Sequence, residues 1–105
     1  MDKKKDEELY KELIQKIIFK QKDILGTKVA VERSKKIEDL WIDSDGKVLQ
    51  IKGEYQPILQ TLINEYFKLT SQAGLETCLE VIRDFVVENK DLKLPEEIEI
   101  LLQDK

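Results

Sequence analysis

The stretch LWIDSDGKVLQIKG, from Leu40 to Gly53, is the one place where the apolar pattern of the chain stops being helical and becomes two-sided. Leu40, Trp41 and Ile42 precede its centre and Val48, Leu49 and Ile51 follow it, aromatic and branched types that suit a pleated surface. Between them, Asp45-Gly46 pairs a residue that tolerates positive φ with one that has no steric penalty for it, the chemistry of a tight hairpin turn. The stretch predicts a short β-hairpin held by helices. Trp41, the only tryptophan, is expected to be mostly buried against the helices containing Leu62 and Leu79.

Before the hairpin, Leu9, Tyr10, Leu13, Ile14, Ile17 and Ile18 form one stripe of an amphipathic helix, with Asp6 as its expected N-cap and Gly26 as its stop after Ile24 and Leu25. Residues 27–37 alternate like a strand at Lys28–Glu32, but Leu25, Val29, Ala30, Arg33 and Ile37 keep helical spacing over the longer window, and helix is the reading adopted. After the hairpin, Pro57 suits the first turn of a helix, and Ile58, Leu59, Leu62, Ile63, Tyr66 and Phe67 form its stripe. Beyond Gly74, Leu75, Cys78, Leu79, Ile82, Phe85 and Val86 mark another helix, ended by Asn89-Lys90-Asp91, and Pro95 opens a last short one with Ile98, Leu101 and Leu102 on one side. The stripe from Leu9 and that from Ile58 are 49 residues apart, and Gly26 and Gly74 are 48 apart. That spacing invites a duplicated reading, although any two amphipathic helices share an apolar pattern. The expected fold is α+β and mainly helical, four to five amphipathic helices around one hairpin, in a single domain over residues 1–105 with the charged residues 1–5 frayed.

The residues Leu25-Gly26, Val29-Ala30, Ile37, Leu40, Ile42-Asp43, Asp45-Gly46, Val48, Ile51 and Gly53-Glu54, followed by a helix pair, resemble a small domain appended to archaeal signalling and regulatory proteins. The resemblance spans about residues 20–88 and implies an adaptor or regulatory role without bringing any catalytic residue. Ser34 departs from it, standing where a small apolar residue is expected.

The residues set bounds on chemistry. With no histidine, the commonest general base and metal ligand is missing, and one cysteine cannot build a usual zinc site. The glycines at 26, 46, 53 and 74 are too scattered to cradle a phosphate. In Asp43-Ser44-Asp45-Gly46 no register puts ligands at both ends of a calcium loop, so the turn is expected to be solvated and free of calcium. Cys78 lies on its apolar stripe and is expected in the core; as the only cysteine it favours a reducing, cytoplasmic setting. No catalytic, metal or cofactor residue is expected, no cofactor, and no membrane span.

Charged residues make up 38%, above the usual ~25%, which suits long charged helix faces and a thermophilic origin. The net charge is −4 but unevenly spread. Residues 16–36 carry seven bases (Lys16, Lys20, Lys22, Lys28, Arg33, Lys35, Lys36) against two acids, and residues 54–105 carry eleven acids against five bases. Lys16, Lys20, Lys28, Arg33, Lys35 and Lys36 are the candidate anion contacts. Phe19, Val31, Val87 and Ile100 fall off the stripes of their own helices, and leftover apolar residues imply a second contact surface. The leading expectation is therefore a non-catalytic protein–protein interaction or regulatory module, alone or as a homodimer. The alternatives are a small nucleic-acid-binding protein using the basic 16–36 segment, and a small-ligand binder with Trp41 and Tyr55 lining an apolar pocket.

Overall fold

The computed structural model describes residues 3–103, with side chains from Asp6 onward, so the fraying expected of residues 1–5 falls outside the described side chains. Five helices and one hairpin follow in order: α1 (Lys3–Leu25), α2 (Thr27–Ser34), β1 (Leu40–Ile42), β2 (Val48–Ile51), α3 (Tyr55–Thr70), α4 (Gln72–Glu88) and α5 (Glu96–Gln103). The mainly helical α+β architecture read from the sequence is the one observed. Asp6 lies in the first turn of α1 rather than at its cap, because the helix starts at Lys3.

Helix α1 is the spine. Leu13, Ile14, Ile17 and Ile18 are wholly buried, each contributing roughly 1.5–3 kcal/mol relative to exposure, and α1 packs against α2, α3, α4 and β2. Gly26 separates α1 from α2 with φ +90° and ψ 154°, a backbone state open essentially to glycine alone, and this turns the short α2 back onto α1.

The strands pair antiparallel with Leu40 opposite Ile51 and Trp41 opposite Gln50; a bulge then shifts the register so that Ile42 faces Val48. The turn differs from a two-residue Asp45-Gly46 connection. Gly46 N–H donates to the Asp43 carbonyl (3.0 Å), and Gly46 alone among the turn residues takes positive φ, +93°. A four-residue turn ending on a left-handed glycine is the result. Gly46 also packs tightly: a Cβ there would stand 2.9 Å from Ile18 Cγ2. Two polar contacts pin the hairpin to α1: Gln15 Oε1 accepts from Val48 N–H at 3.0 Å, and Lys22 Nζ donates to the Asp45 carbonyl at 2.6 Å.

Trp41 corrects the sequence expectation. Strand alternation turns Leu40 and Ile42 inward, so Trp41 between them points out; it is 48% exposed, with Lys52 Nζ 4.7 Å from the ring centroid. Phe67, which its spacing puts in the α3 stripe, is likewise exposed.

Helices α3 and α4 pack against each other across Ser71, whose φ of +56° supplies the break that the sequence assigns to Gly74. Gly74 lies inside α4, where a Cβ would collide with Thr70 Oγ1 and stand 2.6 Å from the Tyr66 carbonyl oxygen. Gly26 and Gly74 therefore do different work, one in dihedral angle and one in helix approach, and the duplicated reading loses its second landmark. Asn89 ends α4, its Nδ2 donating to the Phe85 carbonyl (3.0 Å), and α5 returns Ile98 to the core.

Candidate functional site

Helices α1 and α4 run antiparallel. Gln21, late in α1, donates through Nε2 to the Gly74 carbonyl (3.4 Å) and lies 3.6 Å from Cys78 Sγ, early in α4. At the other end, Glu12 of α1 and Glu88 of α4 border the same depression. Their outer edges leave a groove of about 780 Å³. Its residues recur every three or four positions, the spacing of one helix face: Glu12, Lys16, Phe19 and Asp23 on α1, and Val81, Asp84 and Glu88 on α4, with Phe85 beneath.

The groove is apolar at its floor and polarised along its length. Phe19, 40% exposed, stands beside Val81 and the buried Phe85. Glu12 and Glu88 make one end acidic; Lys16 and Asp84 balance at the middle; Lys20 and Lys22, with Asp23, make the far end basic. Lys22 Nζ lies 4.3 Å from the Phe19 ring centroid, a cation over the face of the ring. Among the described residues the ion pairs are Arg33–Glu65 and Lys68–Glu65, so the charges of the groove are not neutralised by one another at ion-pair distance. The arrangement suits a complementary charged and apolar surface.

Of the four off-stripe residues, Phe19, Val87 and Ile100 are exposed, but only Phe19 lines the groove. Val31 is corrected: it is buried in the core and stands near the Gly46 position under the hairpin turn, because α2 is covered by both α1 and the hairpin. The basic segment does not form one face. Lys16 and Lys20 sit among the groove's acids; Arg33 pairs with Glu65 (3.3 Å); Lys36 shares a shallow depression with Glu38, Asp39 and Glu54. Lys28 and Lys35 are exposed. Burial pushes the Glu65 carboxyl up, but its hydrogen bond to Arg33 and the Lys68 charge outweigh this and hold it below the usual carboxylate range.

Tyr55 does border a depression, of about 360 Å³, but with Tyr10, Asp6 and Lys93 rather than with Trp41. The two tyrosine rings stack at 5.3 Å, and the Tyr10 hydroxyl donates to the Lys93 carbonyl. Burial, with the Asp6 carboxylate, pushes the Tyr10 phenol up. In the hairpin turn, Asp43 Oδ1 accepts from the N–H groups of Lys47 and Asp45, each at 2.9 Å. Those bonds, Lys47 foremost, hold the Asp43 carboxyl below its ordinary value. The carboxylate thus serves the turn itself.

Two buried polar groupings had no signature in the sequence. The Ser34 and Tyr66 hydroxyls meet at 2.6 Å, and each also reaches the Ala30 carbonyl, at 2.9 and 3.1 Å. This explains a serine at the small buried position, and burial pushes the Tyr66 phenol up to about 12. Cys78 is wholly buried, as expected, and burial pushes its thiol up to about 12 against the opposing Gln21 contact. Among the described residues no helix is long and apolar enough to cross a membrane. No protein-family model, curated protein or solved structure matches the chain.

Proposed function

We propose that this chain is a non-catalytic protein–protein interaction or regulatory module, working in the cytoplasm by presenting apolar side chains to a protein surface. One observation carries the reading. Among the described residues twenty-four apolar residues are buried in the core, yet eight large apolar side chains remain 40–63% exposed: Phe19, Ile24, Val29, Trp41, Leu49, Phe67, Val87 and Ile100. Single exposed apolar residues are ordinary. Two of these sites are more than single: Phe19 forms part of an apolar groove floor, and Trp41 and Leu49 are both exposed on the paired strands of the hairpin, Trp41 opposite Gln50 and Leu49 next to it at the bulge. The lack of histidine supports the non-catalytic part, and the one wholly buried cysteine supports a reducing compartment.

The test is capture of partners from the native cell with the wild-type chain and with two surface variants, Phe19→Ser and Trp41→Ser/Leu49→Ser. At least one variant is expected to lose a protein that the wild type retains, with its thermal unfolding unchanged. Retention of the same proteins by all three baits, or by none, contradicts the reading.

A further inference from the structure

We propose that the α1/α4 groove is a self-association face, occupied by the same groove of a second copy about a two-fold axis that crosses α1 at the level of Lys16. The inference deepens the interaction reading above by naming the partner, and it rests on that reading. Its basis is the order of charges along the groove. Acids at one end, a balanced pair in the middle and bases at the other form a pattern that complements its own reversal. Glu12 and Lys20 lie eight residues apart on α1, about 12 Å along the axis, with Lys16 midway.

Two grooves facing each other with α1 antiparallel to the partner's α1 put Glu12 opposite the partner's Lys20 and Lys20 opposite the partner's Glu12. At the axis Lys16 faces its own copy, a like-charge contact that the Asp84 carboxylate of each copy, on the neighbouring helix, offsets, so the four charges sum to zero. The parallel arrangement brings like charges together and is disfavoured. In the antiparallel one Phe19, a turn beyond the axis, covers the Phe85 end of the opposite groove floor. The apolar content is modest, Phe19 and Val81 above a mostly buried Phe85, so the association is weak and depends on charge. An arbitrary acidic or basic partner satisfies only one end of the groove; a second copy satisfies both.

Sedimentation equilibrium at low ionic strength, with charge reversals at two exposed positions, tests this. The wild type is expected to dimerise with concentration. Glu12→Lys and Lys20→Glu should each weaken the dimer about tenfold, since each creates two like-charge contacts across the axis. The double variant Glu12→Lys/Lys20→Glu should recover most of that loss, and raising the salt should shrink the differences among all four proteins. Far-UV circular dichroism melts show whether each variant is folded. A wild-type dimer indifferent to both reversals, or single losses without recovery in the double variant, overturns the groove and its axis while leaving the interaction reading to its own test. A wild type monomeric at every concentration overturns self-association; partner loss in the Phe19→Ser capture then decides the broader reading separately.

Discussion

Replacing Gly74 by alanine opposes two effects of known sign. At an ordinary position in a helix, alanine is favoured over glycine by about 1 kcal/mol. At position 74 the new methyl meets Thr70 Oγ1 and stands 2.6 Å from the Tyr66 carbonyl oxygen. The threonine hydroxyl can rotate away, but the carbonyl belongs to the backbone of α3, with Tyr66 wholly buried beneath it. Relief requires α3 and α4 to move apart, opening the seam next to Cys78 and Leu79. Overpacking of this kind costs roughly 1–3 kcal/mol, beyond which the propensity gain is lost in the strain. The expected net destabilisation is about 0–2 kcal/mol, a fall in Tm of up to roughly 15 °C for a domain of this size. Urea unfolding followed by circular dichroism measures it, with Ala73→Gly, one residue earlier and exposed, as a control expected to lose about 0.5–1 kcal/mol from backbone entropy alone. A stabilised Gly74→Ala protein shows that propensity dominates and refutes the close-approach argument.

Three further outcomes are expected. Ser34→Ala and Tyr66→Phe each cost about 1–3 kcal/mol, and the double variant less than their sum, because each single change leaves a buried hydroxyl short of a partner; strict additivity in urea unfolding contradicts the shared network. Cys78 should resist thiol reagents at neutral pH and react at the rate of unfolding. Because its folded value of about 12 lies above the ordinary 9.0, its contribution to stability is intact below pH 9 and lost as pH rises toward 12, and Cys78→Ala should flatten that alkaline slope; labelling faster than unfolding contradicts burial. Trp41→Ala should change stability by less than about 1 kcal/mol, with native fluorescence close to that of hydrated indole; a strongly blue-shifted native emission contradicts the outward ring.

Local chemistry was legible in the sequence where a residue type has one structural use. Gly26 ends α1, Pro57 falls in the first turn of α3, and Gly46 takes the positive φ of the hairpin turn. Where a choice depends on a neighbour distant in sequence, it was not. A lone tryptophan suits a core, but Trp41 stands between two inward residues, and strand alternation turns it outward. Gly74 reads as a break until α3 is laid beside it. Val31 falls off its helix stripe, but α2 is enclosed from two sides, so an off-stripe position there is also a core position. The groove itself joins residues as far apart as Glu12 and Glu88. Their charges were visible only as a basic segment and an acidic half; the antiparallel packing of α1 on α4 interleaves the two.

Whether that groove is the surface through which the chain associates is tested residue by residue by amide chemical shifts recorded over a concentration series. The expected result is saturable movement confined to residues 12–23 of α1 and 81–88 of α4, diminished by added salt, with the hairpin's Trp41 and Leu49 unmoved. Movement centred on the hairpin, or spectra unchanged from dilute to concentrated protein, contradicts it.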